Sequence, residues 1–191
     1  MIKSIKREIE ESIKVKSEIL NDTDLLSKIE YLTNEVIKCL NNGGKIIFCG
    51  NGGSFADSQH LSAEFVSKLR FERAPLASIA LGTNNSNITA IANDYGYEQV
   101  FSRELESLGE KTDLFIPIST SGNSKNVIKA IESANQKKIK TIGLTGKDGG
   151  KIKKMCDVIM VPSSSTEKIQ EVHIMLGHIV CALAEKKIFN K

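Results

Sequence analysis

The sequence predicts an α/β protein: a single domain with a parallel sheet of five strands, flanked by helices and preceded by two N-terminal helices. Short apolar runs recur at residues 46–50, 77–81, 113–118, 141–144 and 158–161. Segments with apolar residues at helical spacing follow most of these runs. This alternation is typical of parallel strands joined by helices that cover both faces of a sheet.

Two amphipathic helices precede the first strand. Isoleucines at positions 2, 5, 9 and 13 alternate with Lys and Glu, and residues 21–24 break this first helix. The second helix covers about residues 25–40, with Thr23 as its predicted cap. Residues 1–42 thus form a helical pair ahead of an α/β core at 43–191. Their combined apolar surface predicts a subunit interface, although one helix could simply pack on the chain's own sheet.

The helices of the core are predicted from the same spacing. The helix after the first strand should begin near Phe55, with Ser54 as its N-cap. A short helix after the second strand should end at Ala92, because residues 93–96 carry Asn, Asp and Gly. The remaining helices are predicted at residues 99–108, after residue 124, and at 166–188.

Composition excludes several classes of function. The net charge is +3, and the basic residues form neither a block nor a tail, so we expect no binding to nucleic acid. No apolar run reaches the length of a membrane span, and the charged N-terminus is unlike a signal peptide. The four cysteines are scattered in or beside apolar runs, which fits reduced thiols. These features predict a cytoplasmic protein that does not contact a membrane.

A glycine-rich loop follows the first strand at residues 50–54 and contains Asn51, Gly52, Gly53 and Ser54. Such a loop at the start of a helix presents free backbone N–H groups to an anion. It lacks the third small residue and the later acidic residue of the dinucleotide fingerprint, and it contains no Walker sequence. An ordinary turn between strand and helix is the alternative interpretation.

A second loop follows the third strand and is rich in hydroxyl groups: Ser119, Thr120, Ser121 and Ser124. In open α/β sheets ligands bind at the carboxyl ends of the strands, so this set is a candidate phosphate site. A hydroxyl-rich turn without a ligand is also common. The presence of two such loops in one sheet favours binding.

Two helices carry residues suited to proton transfer or metal binding. His60 and Glu64 are four residues apart and therefore share a helix face. On the last helix Gln170 and His178 belong to one polar stripe with Glu167 and Glu171. His173 projects about 140° away from His178. A solvated His60–Glu64 pair, and a histidine satisfied in the core or an interface, are the alternatives.

These segments in combination closely resemble the phosphoheptose isomerases, a family of the sugar isomerase (SIS) fold class. The resemblance covers nearly the whole chain and is carried by residues 49–54, 59–64, 92–94, 118–124, 144–150 and 169–178. It implies an isomerase that converts sedoheptulose 7-phosphate to D-glycero-D-manno-heptose 7-phosphate through an enediol. It also implies a homotetramer with sites between subunits, working in heptose precursor synthesis for lipopolysaccharide or capsule.

The resemblance also implies roles for individual residues. Glu64 and His178 would be the catalytic pair, since a carboxylate and an imidazole suit proton transfer near neutral pH. The phosphate would bind Ser119, Thr120, Ser121 and Ser124. The sugar would contact Asn51, Gly52, Gly53, Ser54, Glu64, Asn93, Asp94 and Gln170. A zinc ion, where present, would be held by His60, Glu64, Gln170 and His178.

Two other functions fit the same fold. One is a non-catalytic relative that binds a replication initiator, in which the catalytic Glu and His are replaced. The other is a sensor of sugar phosphates, or an isomerase for another ketose phosphate. Both Glu64 and His178 are present in this chain, which favours the enzyme.

Overall fold

A computed structural model of the chain describes residues 1–191 and contains one five-stranded sheet. The strands are β1 Ile46–Cys49, β2 Ser78–Ala80, β3 Leu114–Ser119, β4 Lys140–Thr145 and β5 Asp157–Met160. The α-helices are α1 Ile2–Leu20, α2 Thr23–Asn41, α3 Gly53–Val66, α4 Asn85–Tyr95, α5 Val100–Leu108, α6 Lys125–Gln136 and α7 Thr166–Ile188. Single turns of 3₁₀ helix lie at Tyr97–Gln99 and Ile152–Lys154. The predicted α/β class and the two N-terminal helices are confirmed.

All strands are parallel and follow the order β2-β1-β3-β4-β5. Ile46 of β1 pairs with Ser78 of β2 on one side and with Leu114 of β3 on the other. The strand order reverses between β1 and β3, so their connections leave toward opposite faces and open a crevice at their carboxyl ends. The glycine loop and the hydroxyl loop both begin at this crevice.

Each face of the sheet is covered by its own apolar core. Alternate residues of β1 point to opposite faces, so Ile46 and Phe48 join one core while Ile47 and Cys49 join the other. The first core contains side chains from α1, α2, α3 and α7, and the second contains side chains from α5 and α6. All four cysteines are free thiols, and burial raises the pKa of Cys39 to about 11.

Two helix starts differ from the prediction. The cap of α2 is Asp22, whose carboxylate accepts a hydrogen bond from the Leu25 N–H at 3.0 Å, whereas Thr23 is already helical. Helix α3 begins at Gly53 rather than near Phe55, because Gly52 adopts a φ of 56° and turns the chain earlier. Ser54 is therefore a buried residue of the first turn and not the N-cap.

Helix α4 is longer than predicted. It continues past Ala92 through Asn93 and Asp94 to Tyr95, and ends where Gly96 adopts a φ of 90°. None of its residues is fully buried, although Ile88, Ile91 and Ala92 pack against the second core. Its start is fixed by Asn84, whose side chain accepts from the N–H groups of the first turn.

The apolar face of α1 is largely exposed. Val15 and Ile19 are buried near its end, while Ile2, Ile5, Ile9 and Ile13 are each more than half exposed. None of the helices is long and apolar enough to span a lipid bilayer.

Candidate active site

The site is organised by the packing of α3 against α7, which run in the same direction. Three contacts follow one another along both segments: Gly53 with Gln170, Leu61 with Gly177, and Leu69 with Glu185. This order brings residue 60 of α3 level with residue 178 of α7. Residues far apart in sequence therefore meet on one face.

His60, Glu64 and His178 form a cluster at this contact. The Nε2 atoms of the two histidines are 2.9 Å apart. Glu64 Oε1 lies 3.1 Å from His60 Nε2 and 3.8 Å from His178 Nε2. The Glu64 side chain is only 18% exposed, whereas those of His60 and His178 are 52% and 40% exposed. The cluster thus presents two accessible imidazoles over a more sheltered carboxylate.

A buried ion pair anchors the far ends of these helices. Arg73 and Glu185 lie 3.0 Å apart and are almost fully buried. Arg73 also donates to the Glu64 carbonyl at 2.7 Å, while Glu185 accepts the backbone N–H groups of Leu69 and Arg70. These two residues, which no sequence pattern predicted, hold the backbone that carries Glu64.

Two further ionisable side chains lie on these helices. Asp57 precedes His60 by three residues; burial raises its pKa to about 6, and the charge of His60 opposes this shift. His173 is fully buried and bonds the Thr145 carbonyl through Nε2 at 3.2 Å. Burial lowers the pKa of His173 to about 4, against the effect of that bond. His173 therefore points away from the cluster, as its helical spacing predicts.

The hydroxyl loop borders a polar cavity of about 270 Å³ at the carboxyl edge of the sheet. Thr120 and Ser121 line it, whereas Ser119 is buried and bonds Ser124 through their hydroxyls at 3.0 Å. The opposite wall comes from the loops after β4 and β5 and from the first turn of α7: Lys147, Asp148, Ser163, Ser164 and Thr166. Those wall residues were not predicted, although the loop at 144–150 was among the segments that carry the resemblance.

The glycine loop borders a second cavity of about 210 Å³, lined in part by Gly50, Asn51 and Gly52. The side-chain amide of Gln170 lies against Gly53, where an added Cβ would come within 2.4 Å of its Nε2. Gly53 precedes His60 by seven residues, or about 10 Å along the helix. Gln170 therefore lies at the glycine loop and about two helical turns from the His60–Glu64–His178 cluster.

Asn93 and Asp94 lie apart from both cavities. They occupy the exposed C-terminal end of α4, and Asn93 Nδ2 donates to Asp94 Oδ1 at 2.7 Å. Within one chain the structure does not bring these two residues to the other predicted site residues.

Comparison with known proteins gives consistent matches. The SIS domain family matches residues 9–146. A protein of Campylobacter jejuni named phosphoheptose isomerase 2 is 52% identical over 188 residues, which cover 98% of this chain and 94% of that protein. A phosphoheptose isomerase of Aneurinibacillus thermoaerophilus is 53% identical over 187 residues, covering 97% and 94% of the two chains.

A solved structure also matches closely. The phosphoheptose isomerase of Neisseria gonorrhoeae is 41% identical, covers 96% of this chain and 98% of its own, and superimposes with a TM-score of 0.90. Identity at this level over nearly the full length shows that the chain shares both its sequence and its fold with one enzyme family. The chain therefore belongs to the SIS domain family, among its phosphoheptose isomerases, and is an isomerase of sugar phosphates.

Proposed function

We propose that this isomerase converts sedoheptulose 7-phosphate to D-glycero-D-manno-heptose 7-phosphate in the cytoplasm, as the first step of heptose precursor synthesis for a surface polysaccharide. The observation that carries the proposal is the cluster of His60, Glu64 and His178, which unites a carboxylate and two imidazoles. The names of the most similar relatives support the choice of substrate.

The phosphate fits the polar cavity beside the hydroxyl loop. Neutral hydroxyls from Thr120 and Ser121 face Ser163, Ser164 and the cation of Lys147 across it. The N-terminus of α7 also lies beside this cavity, and no side chain caps the N–H groups of its first turn. Hydroxyl donors, a lysine and a helix N-terminus together suit a phosphate dianion.

The reaction moves one carbon-bound proton and one hydroxyl proton. In the proposed mechanism, the carboxylate of Glu64 takes the proton from C1 of the ketose and returns it to C2. His178 takes the O1 proton and supplies a proton to O2, so the enediol forms and collapses to the aldose without net loss of a proton. The low exposure of Glu64 keeps bulk water from competing for the carbon-bound proton.

The three side chains also fit a zinc ion. A tetrahedral ion with bonds of about 2.0–2.2 Å keeps its ligand atoms roughly 3.3–3.6 Å apart. The ligand atoms of His60, Glu64 and His178 are separated by 2.9, 3.1 and 3.8 Å, which brackets that range. Zinc bound there would polarise the substrate carbonyl as a Lewis acid. His60, Glu64 and His178 would hold the ion. We assign Gln170, which the resemblance gives to both the metal and the sugar, to the sugar because it lies at the glycine loop.

We further propose a homotetramer in which sites lie between subunits. The exposed apolar face of α1 offers an interface, and α4 has no buried residue within one chain. In such an assembly Asn93 and Asp94, which lie apart from the cluster of their own chain, could contact the sugar in a neighbouring subunit's site. This arrangement accounts for their position at the exposed end of α4.

The test is turnover of sedoheptulose 7-phosphate by the purified protein, with zinc and after chelation. We expect the aldose product with the native protein and a loss of at least 100-fold in the Glu64→Gln/His178→Gln double variant. Recovery of turnover when zinc is added back after chelation would support a role for the metal. No turnover under any metal condition would overturn the isomerase and favour a binding or sensing role.

A further inference from the structure

The glycine loop and the hydroxyl loop are joined by a pair of side-chain amides. Asn51 Nδ2 donates to Asn126 Oδ1 at 2.8 Å, and Asn126 Nδ2 donates back to Asn51 Oδ1 at 2.9 Å. Asn51 follows β1, and Asn126 lies in the first turn of α6, which follows β3. The pair therefore spans the crevice where the strand order reverses.

One member of the pair is buried, the other borders a cavity, and the acceptors of both are satisfied. Asn126 is only 4% exposed, and its Oδ1 also accepts the Val127 N–H at 3.0 Å. Asn51 Oδ1 accepts a second bond, from the Tyr97 hydroxyl at 3.3 Å. Both lone pairs of Asn51 Oδ1 are thus occupied by the protein.

We propose that Asn126 is a positioning residue, which holds the glycine loop in place through Asn51. It thereby fixes the position of α3, with His60 and Glu64, relative to the polar cavity beside the hydroxyl loop, which we call the phosphate cavity. The inference rests on the proposed isomerase function. Helix α3 begins directly after Asn51 and Gly52, so the amide pair holds its N-terminal end while Arg73 holds its C-terminal end. The catalytic cluster lies between these two anchors.

Only an amide can occupy each side of this pair. Each partner donates through its nitrogen and accepts through its oxygen at the same time. A carboxylate has no donor, an alkyl group has neither, and a hydroxyl carries donor and acceptor on a single atom. Asn126→Asp keeps the shape and the acceptor for Val127 but places an oxygen opposite Asn51 Oδ1. Since a misplacement of about 1 Å can cost about 100-fold in rate, we expect kcat to fall by roughly 10- to 100-fold in this variant.

The kinetic test compares Asn126→Asp, Asn126→Ala, Asn51→Ala and the Asn51→Ala/Asn126→Ala double variant. If the residues act as one pair, both alanine variants lose similar activity and the double variant is no slower than either. Inhibition by inorganic phosphate should change less than about threefold, because the cavity wall is intact. Asn135→Asp is the matched control, since Asn135 lies on the same helix, is exposed, and its side chain bonds only the Met155 carbonyl.

A second measurement does not depend on turnover. Hydrogen–deuterium exchange of the peptide that contains residues 50–54 should be faster in Asn126→Ala and Asn126→Asp than in the native protein, and unchanged in Asn135→Asp. An inactive native protein would overturn the proposed function while this exchange still tests the pair. Unchanged exchange and unchanged kcat in both Asn126 variants would overturn the positioning role. So would an Asn51→Ala variant at least tenfold slower than Asn126→Ala, because Asn51 would then act on the substrate itself.

Discussion

Leu61 of α3 packs directly over Gly177 of α7, so closely that a side chain at position 177 would force Leu61 to shift. An ideal Cβ there would lie 2.4 Å from Leu61 Cδ2 and 3.0 Å from its Cγ. Leu61 is only 1% exposed and has little space to move aside. Because His60 and His178 are the chain neighbours of these two residues, this contact sets the separation of the two imidazoles.

The first prediction concerns Gly177→Ala. In an ordinary helix this change stabilises by about 1 kcal/mol, but here the new methyl group overpacks a buried contact and should instead cost about 1–3 kcal/mol of unfolding free energy. The two helices should move apart, and zinc affinity and kcat should fall by about 10-fold or more. Denaturant unfolding, metal titration and turnover measure the three effects.

A compensating variant provides the control for Gly177→Ala. Leu61→Ala removes the side chain that the methyl group would meet, so Leu61→Ala/Gly177→Ala should regain zinc affinity relative to Gly177→Ala, even though the lost leucine lowers stability. Full activity and unchanged stability in Gly177→Ala would show that α3 and α7 are not held at this distance.

The second prediction concerns the chemical step. Glu64→Gln keeps the shape of the side chain but cannot accept a proton, and His178→Gln removes the imidazole. Each should lower kcat by roughly 10²- to 10⁴-fold, or about 3–5 kcal/mol of barrier lowering. The double variant should be little slower than the worse single variant, because one shared step is already lost.

Metal content must be measured on each of these variants, since both positions are proposed zinc ligands. Gln170→Ala is the informative comparison: it should bind zinc like the native protein while its KM rises, because Gln170 lies at the glycine loop. Loss of zinc in Gln170→Ala would instead restore Gln170 as a fourth ligand. Full activity in Glu64→Gln would contradict the catalytic assignment.

Periodicity predicted the elements that bury an apolar stripe. Helix α7 was expected at residues 166–188 and occupies Thr166–Ile188, because its apolar positions recur along its whole length. Helix α4 ends later than predicted because the exposed Asn93 and Asp94 continue the helix, which ends only where Gly96 adopts a positive φ. The start of α3 depends on the positive φ of Gly52, and a sequence with several adjacent glycines does not reveal which one turns.

The candidate site was predictable only in parts. Helical spacing placed His60 with Glu64, but their meeting with His178 depends on how α3 and α7 pack, through Gly177. The Asn51–Asn126 pair joins residues 75 positions apart, and no spacing rule relates them. Lys147 was missed because it follows β4, and only the strand order brings that loop beside the hydroxyl loop.

The third prediction concerns the phosphate cavity. Lys147→Met removes its one cation, and Ser121→Ala removes a hydroxyl donor from its wall. Contacts that hold the phosphate equally in the ground and transition states lower KM without changing kcat. Each variant loses one such contact and should therefore raise KM by roughly tenfold with kcat little changed. Ser119→Ala should act less strongly, because Ser119 is buried and its hydroxyl bonds Ser124 instead of lining the cavity.

The matched control for Lys147→Met is Lys111→Met. Lys111 is also exposed but precedes β3, at the opposite edge of the sheet. Lys111→Met should leave KM unchanged, which separates the loss of a local contact with the phosphate from the general loss of one positive charge. Equal effects of the two lysine variants would remove Lys147 from the phosphate site.

The fourth prediction concerns assembly. Ile5 and Ile9 are 53% and 54% exposed within one chain, and Ile5→Glu/Ile9→Glu would place two carboxylates in the proposed interface. Sedimentation should show a tetramer for the native protein and smaller species for this variant, with activity lost alongside. Lys3→Glu, on the other side of α1, should remain a tetramer. A native protein that sediments as a 20.9 kDa monomer would contradict the shared site.

The last prediction is a pH dependence of stability due to His173. Folding lowers its pKa from 6.5 to about 4, chiefly because the ring is buried. Between these values the unfolded chain binds a proton that the folded chain does not, so the free energy of unfolding falls as the pH falls through this window. The full loss of unfolding free energy is about 3 kcal/mol, and His173 contributes no pH dependence above about pH 7.

Asp57 has the opposite effect on stability over part of this range. Burial raises its pKa from 3.8 to about 6, so as the pH falls the folded chain binds this proton before the unfolded chain does, which raises the free energy of unfolding. The native curve alone is therefore ambiguous, and the measurement is the difference between native protein and His173→Gln. The amide can still donate to the Thr145 carbonyl but does not titrate. Urea unfolding from pH 7.5 to 4.5 should show the native protein losing stability relative to His173→Gln as the pH falls. Parallel curves would mean that the folded protein can protonate His173 as easily as the unfolded chain does.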